Sequence, residues 1–163
     1  MPDRVIGLIG IDTFKNIEQS FTSEMVKPMI APLEQNFQDE CRQFIGWALS
    51  PKTEPQLRDW ILSDMSSAPP RVALSAVYDM ITKFITGEAA KMFKDIRIPV
   101  LTINGDMEPI NYEANRRHML SFDAVVIKEA GHFLMMARPV EFNKELHKAI
   151  LNLTGKEIWD VVD

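Results

Sequence analysis

The sequence predicts an α/β fold in which about three parallel strands are combined with flanking helices and a helical insert. Three short apolar runs rich in β-branched residues are the predicted strands, at residues 5–11, 98–103 and 124–127. The last two are each followed by a segment in which apolar residues recur at helical spacing, which is typical of βα units with parallel strands. Residues 14–95, between the first strand and the second, show helical spacing and form the predicted insert.

Composition narrows the class of protein. The 163 residues are 46% hydrophobic and 25% charged, as expected of one ordinary globular domain, and the formal net charge is −5. Since no segment gathers Lys and Arg into a stripe, we expect neither nucleic acid nor a membrane as a partner. No apolar run reaches the ~18 residues of a membrane span. The single cysteine, Cys41, cannot form an intramolecular disulfide, so we expect a cytoplasmic protein.

The first predicted strand, at residues 5–11, is apolar along its whole length. That pattern indicates a strand buried on both faces, as in the interior of a parallel sheet. If this strand pairs on one side only, its other edge presents unpaired backbone groups, which a partner chain could cover by strand addition.

Four or five helices are predicted in the insert. Pro and Gly mark the breaks between them, and Pro55 fits the first turn of the third helix. Their predicted bounds are residues 16–31, 33–49, 54–66, 71–85 and 88–94. Many of the ten methionines lie here. We interpret them first as core residues, although a Met-rich surface can also line a substrate channel.

The chain returns to strands after the insert. Following the strand at 98–103, the pattern predicts a helix at 113–120, the strand at 124–127, a loop at 128–133 and a helix at 139–151. Pro at the start of this last helix and Gly155 after it agree with capping preferences.

Polar side chains follow the second and third predicted strands, namely Asp106, Glu108 and His132. The carboxyl ends of parallel strands are where open α/β sheets carry out their chemistry, so we expect these side chains to lie close together. A carboxylate beside an imidazole can supply the acid and the base of a nucleophilic triad.

These motifs resemble the C-terminal part of the α/β-hydrolase family. IPVLTINGDMEPI (Ile98 to Ile110) is similar to the family's penultimate strand with its G-x-x-D/E-P turn, and VVIKEAGHF (Val125 to Phe133) is similar to the last strand with its G-H turn. VIGLIGID, at residues 5–12, resembles the sixth strand, and the insert lies where the family carries its cap domain. The resemblance covers nearly the whole chain.

The resemblance implies a division of the chain and an activity. Residues 1–13 and 96–155 would form a partial hydrolase core, residues 14–95 a helical cap, and residues 156–163 a tail. The implied reaction is hydrolysis of an ester, amide or related bond through a covalent intermediate, on a small apolar ester-like substrate.

Site residues follow from the same resemblance. His132 matches the family's catalytic base. Glu108 matches the position of the triad acid and ranks first among the carboxylates. Asp12 ranks second, because some members place the acid after the sixth strand. Asp106 ranks third, because on an extended segment it would point to the same side as Glu108.

The sequence departs from the family pattern at the nucleophile. The sequence contains no G-x-S-x-G elbow, so the nucleophile and the oxyanion donors that the family places there are absent from these 163 residues. We expect that the N-terminal half of such a fold is missing here and that the chain is inactive alone. Two alternatives stay open: a non-catalytic interaction module, and one half of a two-chain hydrolase.

The remaining His and Cys residues are interpreted as structural rather than catalytic. His118 and His147 lie in predicted helices beside charged residues and are interpreted as surface residues. Cys41 is interpreted as a small buried apolar residue. No metal-ligand spacing and no phosphate-binding Gly loop occurs in the sequence, so no cofactor is expected.

Overall fold

The computed structural model describes residues 4–155 of the chain. The predicted tail at 156–163 lies outside the described residues. The strands are β1 (Leu8–Ile11), β2 (Val100–Gly105) and β3 (Phe122–Ile127). The helices are α1 (Ser23–Gln35), α2 (Phe37–Ala48), α3 (Pro55–Ser66), α4 (Pro70–Ile85), α5 (Glu88–Lys91), α6 (Tyr112–His118), α7 (Leu134–Ala137) and α8 (Pro139–Thr154).

The three strands form one parallel sheet with β2 in the centre. Leu8 lies opposite Val100 in the β1–β2 pair, and Val100 lies opposite Phe122 in the β2–β3 pair. Because all three strands run in the same direction, their carboxyl ends lie at one edge of the sheet. The predicted α/β fold with three parallel strands is confirmed.

Strand β1 is shorter than predicted and lies at an edge of this sheet. Within residues 4–155 it pairs with β2 alone. Val5 and Ile6, which the sequence assigned to this strand, precede it and are 50% and 58% exposed. The apolar run indicated an interior strand, but in the described chain its apolar character is not matched by burial. The backbone groups on the far edge of β1 therefore have no strand partner in this part of the chain.

Helix α1 begins later than predicted. Residues 13–22 form an irregular connection, because polar side chains there bond to nearby backbone groups instead of permitting a helix. The Asn16 side chain accepts a hydrogen bond of 3.1 Å from the N–H two residues further on, and the Thr22 side chain caps α1. At its other end α1 continues through Pro32, where a break was predicted, to Gln35.

Helix α7 was not predicted at all. It is a single turn of four residues, Leu134–Ala137, immediately after the loop that carries His132. Four residues are too few to show a helical spacing of apolar residues, so the sequence pattern could not reveal it.

Helices α1, α2 and α4 pack around a cluster of buried side chains that is separate from the sheet. Its members are Val26, Ile30, Leu33, Cys41 and Ile81. Cys41 is buried there, as the sequence predicts. By contrast, Ala89, Ala90 and Phe93 pack with side chains of β2 and β3. The division into a core and a cap at residues 14–95 stays a prediction, and its last residues contact the sheet.

None of the helices in the described part of the chain has the length and apolar character needed to cross a membrane.

Candidate active site

Asp12 directly follows β1, at the carboxyl edge of the sheet. Its backbone N–H still bonds to the Ile103 carbonyl at 2.9 Å, so the residue is fixed against β2. Its backbone then turns into the left-handed region with φ of 44°. Asp is among the few residues that tolerate this conformation. The turn leaves the carboxylate nearly buried, with 3% of the side chain exposed.

The Asp12 carboxylate bonds to His132. The His132 Nδ1 atom lies 2.9 Å from Asp12 Oδ2. His132 lies in the loop after β3, and about half of its side chain is exposed. When the proton of the neutral ring is on Nδ1, this N–H donates a hydrogen bond to Asp12, and Nε2 is free to accept a proton from another group. A buried carboxylate that orients a half-exposed imidazole is the arrangement of a general base with its acid partner.

Two further groups hold the Asp12 carboxylate in its charged form. Oδ1 accepts a hydrogen bond of 2.9 Å from the N–H of Gly105, and Lys15 Nζ lies 3.1 Å from Oδ2. Burial alone would raise the pKa of Asp12. The hydrogen bonds from His132 and Gly105 and the charge of Lys15 outweigh burial, and the pKa lies below its usual value of 3.8.

Asn104, near the end of β2, connects the two strand ends and was missed by the sequence analysis. Its side chain is fully buried. It accepts from the Thr13 N–H and donates to the Thr13 carbonyl, both at 3.1 Å. These two bonds fix the residue that follows Asp12, so they also fix the direction of the Asp12 side chain. An amide at the end of an apolar strand is the signal that could have indicated this role.

The other two carboxylates lie elsewhere. Glu108, ranked first from the sequence, is 71% exposed and lies 3.6 Å from Lys15. In residues 4–155 no hydrogen bond or ion pair joins it to His132. The structure therefore pairs the second-ranked carboxylate with the imidazole. Although β2 lies between β1 and β3, the Asp12 carboxylate reaches across the end of β2, where it bonds to the Gly105 N–H, and meets His132 in the loop after β3.

Asp106 supports the loop that carries His132. Its carboxylate accepts hydrogen bonds from the N–H groups of Glu129 and Ala130, and the bond from Ala130 measures 3.3 Å. The bond from Glu129 is the main cause that lowers the pKa of Asp106. Asp106 thus contacts the backbone before His132 rather than the imidazole.

The end of helix α2 also holds this loop. The His132 N–H donates to the Ala48 carbonyl at 2.8 Å, and the Ser50 hydroxyl donates to the Glu129 carbonyl at 3.0 Å. A Cβ atom at Gly131 would lie 2.4 Å from the Ala48 carbonyl oxygen, so only glycine fits at this distance. Helix α2 was predicted, but no sequence pattern indicates that its end contacts the His132 loop.

Three residues other than glycine have positive φ in the described chain, and all of them lie in the two loops of the site. They are Asp12 (44°), Phe14 (52°) and Glu129 (55°). Such conformations cost free energy, and they concentrate at functional sites where the surrounding contacts enforce them. Here the contacts of Asn104 and Ser50 provide that enforcement.

The described residues do not complete a triad. Asp12 is the one side chain in residues 4–155 that forms a hydrogen bond with the His132 ring. No group of His, Cys, Asp and Glu side chains in this part of the chain is arranged to hold a metal ion. His118, predicted to be a surface residue, is partly exposed and lies 2.7 Å from Glu18.

No protein-family model matches the sequence, and no curated protein matches it. In contrast, 111 chains of solved structures match its fold. An esterase from Exiguobacterium antarcticum matches 90% of this chain over 57% of its own length, with a TM-score of 0.72 at 15% identity. A hydrolase from Oleispira antarctica matches 93% over 58%, with a TM-score of 0.69 at 15% identity. An esterase from Thermogutta terrifontis with bound malate matches 93% over 58%, with a TM-score of 0.67 at 19% identity.

These comparisons define the class of fold. The chain has a partial α/β-hydrolase fold, with three parallel strands and flanking helices. It spans less than two thirds of the length of the structures that it matches. At identities of 15% to 19% the match establishes the fold and not the reaction.

Proposed function

We propose that His132 and Asp12 act as the base and the orienting acid of a hydrolase that cleaves an ester or a related bond. The observation that carries this proposal is the bond of 2.9 Å between His132 Nδ1 and a nearly buried, charged Asp12 carboxylate. In such a pair the carboxylate fixes the imidazole tautomer, and Nε2 removes the proton from a nucleophile. The esterases and hydrolases that share the fold support this choice of reaction.

The nucleophile in this proposal comes from outside the 163 residues. No G-x-S-x-G elbow occurs in the sequence. The far edge of β1 is unpaired within residues 4–155, and a strand that carries the elbow would pair there. The nucleophile would then stand at the same carboxyl edge of the sheet as His132. This placement is compatible with one longer chain and with two chains.

A further consequence concerns the three carboxylates. In the proposal Asp12 contributes directly to the base, Asp106 positions the His132 loop, and Glu108 has no catalytic role. Replacing an acid that fixes the tautomer costs about 10⁴-fold in kcat in a Ser-His-Asp triad. Replacing an exposed carboxylate outside the triad should cost a few-fold at most.

The test is hydrolysis of p-nitrophenyl acetate and p-nitrophenyl butyrate by two preparations. One is the 163-residue chain, and the other is the polypeptide translated from the complete reading frame. We expect the chain alone to match free imidazole at the same concentration. The complete polypeptide should hydrolyse both esters, with a loss of about 10⁴-fold in His132→Ala and Asp12→Asn.

Glu108→Gln is the matched control, because it also converts a carboxylate near the site into an amide. Thermal unfolding of every variant shows whether the lost activity reflects lost folding. Equal losses in Glu108→Gln and Asp12→Asn, both folded, would contradict the assignment of the acid. A reading frame that begins at Met1, with a product that has no His132-dependent hydrolysis, would favour the non-catalytic interaction module.

A further inference from the structure

A basic cavity lies at the opposite end of the sheet from His132. It encloses about 490 Å³ and is lined by two groups of basic side chains. Lys91 is the last residue of α5, and Lys94 and Arg97 come from the segment between α5 and β2. Arg116, Arg117 and His118 come from the end of α6. No carboxylate side chain lines the cavity.

The cavity is well separated from the candidate active site. Arg97 precedes β2 and His118 precedes β3, so both groups lie at the amino ends of the strands. Asp12 and His132 follow the carboxyl ends of their strands. The six residues of β2 span roughly 16 Å at about 3.3 Å per residue, which sets the scale of the separation.

Part of the positive charge in this cavity has no carboxylate partner. Lys91 and Lys94 form no ion pair in the described chain. The Arg97 guanidinium donates to the Lys94 backbone carbonyl at 2.7 Å, which leaves its charge uncompensated. These three side chains are exposed and can reach a ligand.

The other basic side chains are held in place by neighbours. Arg117 donates two hydrogen bonds to Glu18, at 3.0 and 2.5 Å. Arg116 donates to the Phe122 carbonyl at 3.2 Å and stacks on the Tyr112 ring, with 5.3 Å from its central carbon to the ring centroid. Fixed guanidinium groups lose less entropy when they bind an anion.

The cavity is positively charged, whereas the whole chain has a negative net charge. The formal net charge of the protein is −5, yet five Lys and Arg side chains line this one cavity. Glu18 pairs with Arg117, and Asp123 lies 4.0 Å from Arg116. Glu113 also acts on Arg117 through its charge, whereas Lys91, Lys94 and Arg97 have no carboxylate partner in the described chain. A local positive potential of this kind attracts multivalent anions.

We propose that this cavity binds a small molecule that carries several phosphate groups. Lys91, Lys94 and Arg97, which have no carboxylate partner, are the groups that would contact the phosphate oxygens, and each contact would be a charge-assisted hydrogen bond. The volume lies within the range of small-molecule sites and exceeds what one phosphate ion needs. Nucleic acid fits less well, because no aromatic side chain lines the cavity for base stacking and the basic residues do not form an extended stripe.

The test is calorimetric titration of the full chain with four probes: inorganic phosphate, tripolyphosphate, ATP and a 12-base-pair DNA duplex. We expect tripolyphosphate and ATP to bind more tightly than inorganic phosphate, and the affinity to fall as NaCl rises from 50 to 300 mM, because salt screens exposed charges. Comparable binding of ATP and tripolyphosphate would show that the phosphate groups carry the recognition. Much tighter binding of ATP would show that the organic part contributes.

Two double variants distinguish binding in the cavity from nonspecific attraction to positive charge on the protein surface. Lys91→Gln with Lys94→Gln should weaken tripolyphosphate binding by at least tenfold. Lys52→Gln with Lys144→Gln removes the same charge from exposed lysines outside the cavity and should change the affinity by less than twofold. His132→Ala should have no effect on this binding. Thermal unfolding confirms that each variant is folded.

Three results would overturn the proposal. One is no heat of binding for any phosphate probe at millimolar concentration. Another is an equal loss of affinity in the two double variants. The third is tighter binding of the DNA duplex than of tripolyphosphate, which would assign the basic residues to a nucleic-acid surface.

Discussion

Asp12 shows how one side chain becomes a candidate acid through strand pairing rather than through a sequence motif. From the sequence, Glu108 ranked first because of its place in the NGDMEP motif. In the structure, Asp12 follows the strand next to β2, and its carboxylate reaches both Gly105 and His132. Sequence spacing gives the order of the carboxylates along the chain. The pairing of β1 with β2 brings Asp12 to the end of β2, and from there its carboxylate reaches the imidazole.

Asp12→Asn should change the tautomer of His132. In the native protein the carboxylate accepts a hydrogen bond from Nδ1–H, so the Nδ1–H form should dominate when the ring is neutral. An amide at position 12 can donate to Nδ1 and should shift the population toward the Nε2–H form. Nitrogen-15 chemical shifts of the ring measure this directly. Glu108→Gln should leave the shifts unchanged, and a changed tautomer in that variant instead would point to Glu108 as the partner.

Glu129 carries measurable backbone strain. Its φ of 55° suits glycine, and its side chain forms an exposed ion pair with Arg138. Glu129→Gly and Glu129→Ala both remove the ion pair, but only glycine relieves the strain. We expect the glycine variant to be more stable than the alanine variant by about 1 kcal/mol in urea unfolding. Equal stabilities would show that the φ value at this residue carries no cost.

At the scale of elements, helix α2 and the His132 loop form one mechanical unit. The carbonyl of Ala48 and the hydroxyl of Ser50 hold the loop backbone on both sides of Gly131. Any shift of the α2 end therefore moves the backbone of His132. This contact joins the predicted insert to the candidate base.

Gly131→Ala should destabilise the protein and displace His132. A Cβ atom there would lie 2.4 Å from the Ala48 carbonyl oxygen and 2.6 Å from the Ser50 nitrogen, and backbone atoms cannot move aside cheaply. We expect a loss of about 1 to 3 kcal/mol in the free energy of unfolding. The matched control is Gly46→Ala in α2, where the nearest atom lies at 3.5 Å. That variant should be more stable than the native protein by about 0.5 to 1 kcal/mol.

The helices of the insert show what the sequence could predict. Helices with long amphipathic patterns were placed well, as for α3 and α4, whose starts differ from the prediction by one residue. The start of α1 was wrong, because hydrogen bonds from Asn16 and Thr22 favour a turn and a cap over a helix. Local periodicity cannot weigh such side-chain bonds against helical bonds.

At the scale of the whole molecule, two carboxylates connect stability to pH. The pKa of Glu18 is lowered to about 2 by its hydrogen bonds to Arg117 and His118. The pKa of Asp12 is also lowered, since the bonds from His132 and Gly105 outweigh its burial. Both groups bind protons more weakly in the folded state than in the unfolded state. Their contribution to stability is therefore present above their ordinary pKa values and is lost as the pH falls through the lowered values.

Acidification should thus weaken the fold below about pH 4.5. The ordinary pKa values are 4.5 for Glu18 and 3.8 for Asp12, and the loss should develop from there toward pH 2. Urea unfolding at half-unit steps from pH 6 to pH 2.5 measures it. Glu18→Gln and Asp12→Asn should each flatten the pH dependence, and a variant with the native slope would show that its carboxylate does not contribute.

Contacts between distant parts of the chain were beyond sequence reasoning. The basic cavity combines residues 91–97 with residues 116–118, and neither group alone is a Lys/Arg stripe. The two groups form one positively charged cavity only because the ends of α5 and α6 lie beside the amino ends of the strands. The expected fold class needed only local patterns, whereas this cavity and the Asp12–His132 pair depend on how the elements assemble.

The bond between Asp12 and His132 also makes the site a reporter of folding. Its two residues are 120 positions apart, so closing this loop means ordering nearly the entire chain between them, at an entropic cost that local contacts do not repay. The pair should therefore form among the last contacts during refolding. A time-resolved imidazole signal would then mark the moment at which the ends of all three strands have come together.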